Sequence, residues 1–194
     1  MIKKLRDLLS TKTIPLALVW YYRLFFKKSN TRLKSRFHEI KINNKYLSSF
    51  IRDNDTVLDV GSHGGNWSFL LSDLVPEGKV ICFEALPLYA KALKKVVKLS
   101  FTKNIIINNY AVLNENKPVS ITWIDDKNNR LTGMTRLSYK KDKQHQKITV
   151  NGIKIDEYFK HFKAKISKIS FIKIDVEGAE LMALQGCLDI IKKH

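Results

Sequence analysis

A chain of 194 residues suits one domain rather than two, and 44% hydrophobic with 10% aromatic content is enough to build a packed core. Only two cysteines occur, Cys82 and Cys187, far apart and each in apolar surroundings. That excludes a disulfide framework or a zinc cluster and predicts reduced core thiols, hence a cytoplasmic protein.

The net charge of +17 is unevenly spread: residues 1–50 carry 12 Lys and Arg against two acids, Asp7 and Glu39. The chain therefore divides into a basic N-terminal arm, residues 1–43, and a domain over 44–194. Such an arm favours anionic lipid, nucleic acid or an acidic glycan, with a lysine-rich compositional bias as the alternative reading. Within it, residues 13–26 form the most apolar run, interrupted by Arg23. A bilayer span needs about 20 such residues. No small-residue cleavage site follows, so a signal peptide does not fit either. Lys on both flanks and Trp20-Tyr21-Tyr22 inside suit a helix lying at the membrane surface, and a helix capping the domain core is the competing reading.

Residues 44–51 read as a short amphipathic helix, followed by the turn Asp53-Asn54-Asp55. Thr56–Val60 is an apolar strand cut off by Gly61, and a glycine-bearing loop leads to a helix that opens near Trp67 and ends near Pro76-Glu77-Gly78. Lys79–Phe83 is the second strand, ending at Glu84. Pro87 opens a helix with Leu88, Ala90, Leu93, Val96 and Val97 near helical period, and residues 104–108 form a third strand. This alternation predicts a parallel α/β unit. Farther along, 118–123 and 148–153 read as strands, while 125–129 and 140–147 read as polar loops. A helix starts at Ile155, a strand covers 170–175, and a last helix runs from Ala179 through Ile191.

Three motifs carry chemistry. In Leu58-Asp59-Val60-Gly61-Ser62-His63-Gly64-Gly65-Asn66 a strand turns sharply into a helix, and glycines let a ligand approach the backbone closely. The dinucleotide pattern G-x-G-x-x-G fails, because His63 stands two residues after Gly61. An acid at the strand end suits a cationic sulfonium ligand better than a pyrophosphate. Glu84, 25 residues after Asp59, sits where a carboxylate accepts hydrogen bonds from both ribose hydroxyls of an adenosine ligand. In Ile172-Lys173-Ile174-Asp175-Val176-Glu177-Gly178-Ala179-Glu180, Asp175 and Glu177 are the candidate catalytic acids, able to orient a substrate hydroxyl or take its proton. Glu180 reads as satisfying the helix N-terminus instead.

These three motifs, joined by Phe83-Glu84-Ala85-Leu86-Pro87, Asn108-Asn109-Tyr110-Ala111-Val112 and Ile155-Asp156-Glu157-Tyr158-Phe159, resemble the FkbM family of methyltransferases over about residues 45–192. The resemblance implies an α/β fold: a Rossmann-like class I methyltransferase sheet with helices on both faces. It implies S-adenosyl-L-methionine as cofactor and methyl transfer to a hydroxyl of a glycan or other small molecule. Carried onto this chain, Asp59, Gly61, Ser62, His63 and Gly65 line the donor's amino-acid end, Glu84 holds the ribose and Asn109 approaches the adenine. Asn66 and Ala85 are further cofactor-binding positions. No metal is expected.

Two departures stand out. His63 occupies a position where many class I enzymes have glycine, and a histidine there reads as a shape and hydrogen-bond element ahead of a base. The family normally continues past the last helix with another core strand and a terminal hairpin. This sequence stops at His194, so the C-terminal strands are expected to be lacking and the sheet edge raw, open to a partner chain. Three competitors remain. One is an RNA methyltransferase recruited by the arm, although no aromatic-flanked Asn/Asp-Pro-Pro motif follows the last strand to cradle a base. Another is a non-catalytic domain that keeps the fold, and the third is an NAD-dependent dehydrogenase, which the glycine spacing disfavours.

Overall fold

A computed structural model describes residues 46–124, 136–137, 146–161 and 168–194. The basic arm, the loop at 125–129 and most of the loop at 140–147 lie outside the described residues. The elements in chain order begin with β1 (Thr56–Val60), α1 (Asn66–Leu74), β2 (Lys79–Phe83), α2 (Pro87–Leu99) and β3 (Ile105–Asn108). They continue with β4 (Ala111–Val112), β5 (Pro118–Ile124), β6 (Arg136–Leu137) and β7 (Gln146–Ile153). The chain then forms α3 (Ile155–His161), β8 (Ile169–Ile174), α4 (Glu180–Gln185) and α5 (Leu188–Lys193).

All five residues of β1 are buried, which its apolar run requires of a central parallel strand. It pairs in parallel with β2 on one side and β8 on the other, and β2 pairs with β3, giving the order β3-β2-β1-β8. Successive side chains alternate between the two faces. Val57, Val80, Cys82 and Ile105 pack under α1 and α2 against Phe69, Leu71, Leu93 and Val96. Leu58, Val60, Ile81 and Phe83 face the opposite way, onto Ile155, Ala183, Cys187 and Ile190 of the C-terminal half. Helices therefore cover both faces of the parallel sheet, in a Rossmann-like arrangement. Cys82 and Cys187 are both free and buried.

The strands expected at 118–123 and 148–153 are β5 and β7, which pair antiparallel in a second sheet of order β4-β7-β5-β6. This sheet packs Ala111, Leu113, Ile121 and Val150 against Leu86 and Tyr89 at the start of α2. Through that contact it stands beside the carboxyl ends of the parallel strands. Among the described residues β8 pairs only with β1. No helix among them is long and apolar enough to cross a membrane.

Two predicted helices change shape. Of the helix expected over 44–51, Tyr46 and Leu47 are helical and residues 48–50 form turns, anchored by buried Leu47 and Ile51. The helix expected from Ala179 to Ile191 breaks at Gly186-Cys187. Gly186 lies so close to the second-sheet connection that a Cβ there would sit 2.1 Å from the Leu113 carbonyl oxygen. The buried Asp156 carboxylate accepts from the backbone N–H groups of Asp189 (3.2 Å) and Ile190 (3.1 Å), satisfying donors at the start of the separate α5.

Candidate active site

Gly61 ends β1 in the left-handed region, at φ 77°, and a Cβ there would lie 1.9 Å from the Asp175 carbonyl oxygen. Only glycine lets the bend after β1 approach the turn after β8 this closely. The N–H groups of Gly61 and Ser62 both donate to the Phe83 carbonyl, at 2.9 and 3.1 Å, so the bend is pinned to the end of β2. His63 also holds a left-handed conformation, at φ 41°, and Gly65 at φ 77° leads into α1.

Glu84 is buried at the tip of β2. Its Oε2 accepts from the His63 N–H at 2.7 Å and its Oε1 from the Leu86 N–H at 2.9 Å. Burial pushes its pKa up to about 7, against the pull of those two backbone hydrogen bonds. Beyond β8, the Asp175 N–H donates to the Val60 carbonyl at 3.1 Å, and the next turn carries Glu177 at φ 51°. The Glu180 carboxylate accepts from the Gly178 N–H at 2.9 Å and the Val176 N–H at 3.3 Å, which holds its pKa below the usual carboxylate range. Glu180 thus serves its own turn.

These pieces surround a cavity of about 170 Å³ at the carboxyl ends of β1, β2 and β8, closed on one side by the second sheet. Its polar lining consists of Glu84, Asp175, Glu177, His63, Tyr89 and Tyr110, and no Lys or Arg side chain faces it among the described residues. Phe83, Leu86, Leu113 and Ile121 supply apolar wall. His63 meets Tyr89 edge to face, with ring centroids 4.5 Å apart. Surrounding protein atoms and the Lys173 charge hold the imidazole pKa below its ordinary value, partly offset by Asp175. The ring is therefore largely neutral at neutral pH, with a nitrogen able to accept a proton. No group of three or more candidate metal ligands occurs among the described residues.

The Methyltransferase FkbM domain family matches residues 59–194, most of the chain. The chain belongs to this family. Among solved structures, an FkbM methyltransferase from Methylobacillus flagellatus KT is 18% identical, with TM-score 0.49, over 74% of this chain and 31% of that one. A SAM-dependent methyltransferase from Aquifex aeolicus is 24% identical, with TM-score 0.31, over 45% and 53% of the two chains. A precorrin-6y C5,15-methyltransferase from Geobacter metallireducens GS-15 is 22% identical, with TM-score 0.33, over 43% and 41%. The FkbM domain described here thus spans about a third of the first of these relatives. No curated protein matches the sequence.

Within the FkbM domain, six of the expected site residues, Gly61, His63, Glu84, Ala85, Asp175 and Glu177, line the cavity. Five other expected residues do not. Asp59 lies on the α1 face of the sheet, because alternation along β1 turns it away from the neighbouring Val60, which does reach the cavity. Its Oδ2 accepts from Ser68 Oγ at 2.6 Å. Ser62 is buried with its Oγ donating to the Asp59 carbonyl at 2.9 Å. Gly65 packs against α2, where a Cβ would meet Leu93 Cδ1 at 2.4 Å, and Asn66 is exposed on the first turn of α1. Asn109 donates to the Glu84 and Ala85 carbonyls, at 2.8 and 2.9 Å, and so braces the turn after β2.

Sequence reasoning missed the second-sheet wall and Lys173. Lys173 is the cross-strand partner of Asp59, and its ammonium lies 3.2 Å from Asp59 Oδ1 and 3.7 Å from the Asp175 carboxylate. The signal was present: one charge inside the apolar run Phe171-Ile172-Lys173-Ile174, on the strand that pairs with Asp59.

Proposed function

We propose that this FkbM domain binds S-adenosyl-L-methionine in the cleft between the two sheets and transfers its methyl group to a hydroxyl of a glycan or other small molecule. The observation that carries the reading is the charge of the cleft. In a chain of net charge +17, its lining holds three carboxylates and one neutral-leaning imidazole but no Lys or Arg among the described residues. Such a lining attracts a cationic sulfonium and repels the phosphates of nucleotides and nucleic acids.

The residues present fit the donor. Gly61 has no Cβ to block the bend, and the buried Glu84 carboxylate keeps free lone pairs beyond the two N–H groups it already accepts, enough for a ribose diol. The sulfonium supplies an activated methyl, so the protein's task is alignment and exclusion of water. Phe83, Leu86, Leu113 and Ile121 provide the apolar wall for that task. Asp175 at the open mouth and His63 across from it are the groups placed to take a proton from an acceptor hydroxyl. Glu177 orients the acceptor from the same turn.

Isothermal titration separates this reading from its rivals. S-adenosyl-L-methionine is expected to bind, whereas NAD and ATP give no heat. Silence with the donor at high protein concentration would overturn the reading, and binding of NAD alone would favour a dehydrogenase. A screen with methyl-labelled donor against glycans and lipid-linked sugars then finds the acceptor.

A further inference from the structure

Lys173 projects from the penultimate position of β8 with only a tenth of its side chain exposed. Its ammonium donates to the Gly61 carbonyl at 2.7 Å and to the Val60 carbonyl at 3.3 Å, and it lies 3.2 Å from Asp59 Oδ1. An ammonium has three N–H bonds, and three oxygens from consecutive residues surround this one. No hydrogen-bond donor meets Asp59 Oδ1 in good alignment, so the ion pair with Lys173 is what compensates that buried oxygen.

We infer that Lys173 is a positioning residue for the donor site: by gripping the Val60 and Gly61 carbonyls from behind, it fixes the bend whose front faces the cleft. The inference rests on the donor reading above. The Val60 carbonyl at the end of β1 also accepts from the Asp175 N–H at 3.1 Å, the Gly61 carbonyl lies just beyond the strand, and a carbonyl held from the α1 side cannot rotate into the cavity. The bend therefore presents Gly61 and His63 to a ligand in one orientation. The same cation balances Asp59, which alone would be an uncompensated buried charge. A guanidinium is larger, planar and forked, so arginine does not reproduce a compact three-way grip.

Two roles of Lys173 must be separated, holding the bend and neutralising Asp59. The full chain is compared as wild type, Lys173→Met, Asp59→Asn, and the double variant Lys173→Met/Asp59→Asn. Binding of S-adenosyl-L-homocysteine is read by titration, and amide hydrogen exchange at residues 61–65 is read without ligand. The expected result is at least a tenfold loss of affinity and faster exchange in the bend for Lys173→Met, neither restored in the double variant, while exchange in the second sheet stays as in wild type. Recovery of both readouts in the double variant would reduce Lys173 to a counter-ion and overturn the inference. Unchanged affinity and exchange in Lys173→Met would do the same. Should Lys173→Met fail to fold, the double variant, which has no unpaired buried charge, is compared with Asp59→Asn. Wild type that binds no ligand refutes the donor reading, whereas the exchange measurement still decides whether Lys173 holds the bend.

Discussion

The backbone N–H of His63 reaches Glu84 Oε2 at 2.7 Å, so one carboxylate both ties the loop after β1 to the tip of β2 and lines the cleft. Anything that changes the charge of Glu84 acts on the loop and on a bound ligand together.

That coupling gives a pH dependence. Glu84 has a pKa of about 7 in the folded chain against a reference of 4.5. The folded state thus favours its protonated form, and the group's contribution is whole below the reference value and lost as pH rises through 7. Between about pH 5 and pH 8 the ligand-free chain should lose on the order of 3 kcal/mol from this group. Urea unfolding across that range, compared with Glu84→Gln, checks it: an identical slope in the variant would refute the assignment. Donor affinity should move the opposite way, rising roughly tenfold between about pH 6 and pH 8 as the ribose-accepting carboxylate ionises.

Gly61→Ala places a methyl group 1.9 Å from the Asp175 carbonyl oxygen, in a backbone conformation that L residues rarely adopt. The turn after β8 must retreat. A loss of about 2 kcal/mol or more is expected in chemical unfolding, together with loss of donor binding. A folded, binding-competent Gly61→Ala variant would show that the two turns are not in contact.

His63 separates backbone shape from chemistry. At φ 41°, asparagine is tolerated and a β-branched residue is not. His63→Asn should stay within about 0.5 kcal/mol of wild type in stability, while His63→Val loses roughly 1 to 2 kcal/mol. Turnover of His63→Asn near neutral pH then reports whether the imidazole takes a proton.

Asp175 and Glu177 line the cleft from the turn after β8, whereas the buried Glu84 lines it from the tip of β2. Asp175→Asn is therefore expected to bind S-adenosyl-L-homocysteine within about threefold of wild type while methyl transfer falls by roughly 100-fold or more. Equal losses of binding and rate would place Asp175 with the donor instead.

Asp156→Ala removes the acceptor for two N–H groups at the start of α5. A cost of about 1 to 2 kcal/mol is expected in thermal or urea unfolding, with amide exchange at Asp189 and Ile190 rising first. Protection of those two amides at wild-type levels would count against the cap.

The parallel sheet was legible because its strands are continuous apolar runs punctuated by Gly61, Glu84 and Asp175, whose residue types mark strand ends directly. Asp59 stands one position before Val60, the strand residue that lines the cavity. A motif gives the residue and its distance from the bend, but a shift of one position along a strand reverses the face, and only pairing with β8 shows that Asp59 meets Lys173. Ser62 and Asn109 were expected at the ligand, and their short polar side chains instead satisfy local carbonyls, an option a single sequence does not reveal. The break at Gly186-Cys187 was hidden because the apolar spacing runs on across it. Its causes, the Leu113 carbonyl and the Asp156 cap, come from distant parts of the chain.

The cleft's two walls are built by different sheets, and this has a consequence for how the domain can vary. Leu113 and Ile121 belong to the β4–β5 region, whereas Glu84 and Asp175 are set by the parallel strands. Enlarging or shrinking the first pair reshapes the room left for an acceptor without shifting the carboxylates. In the proposed reaction, selectivity for the incoming alcohol and grip on the methyl source would thereby be adjustable independently of one another.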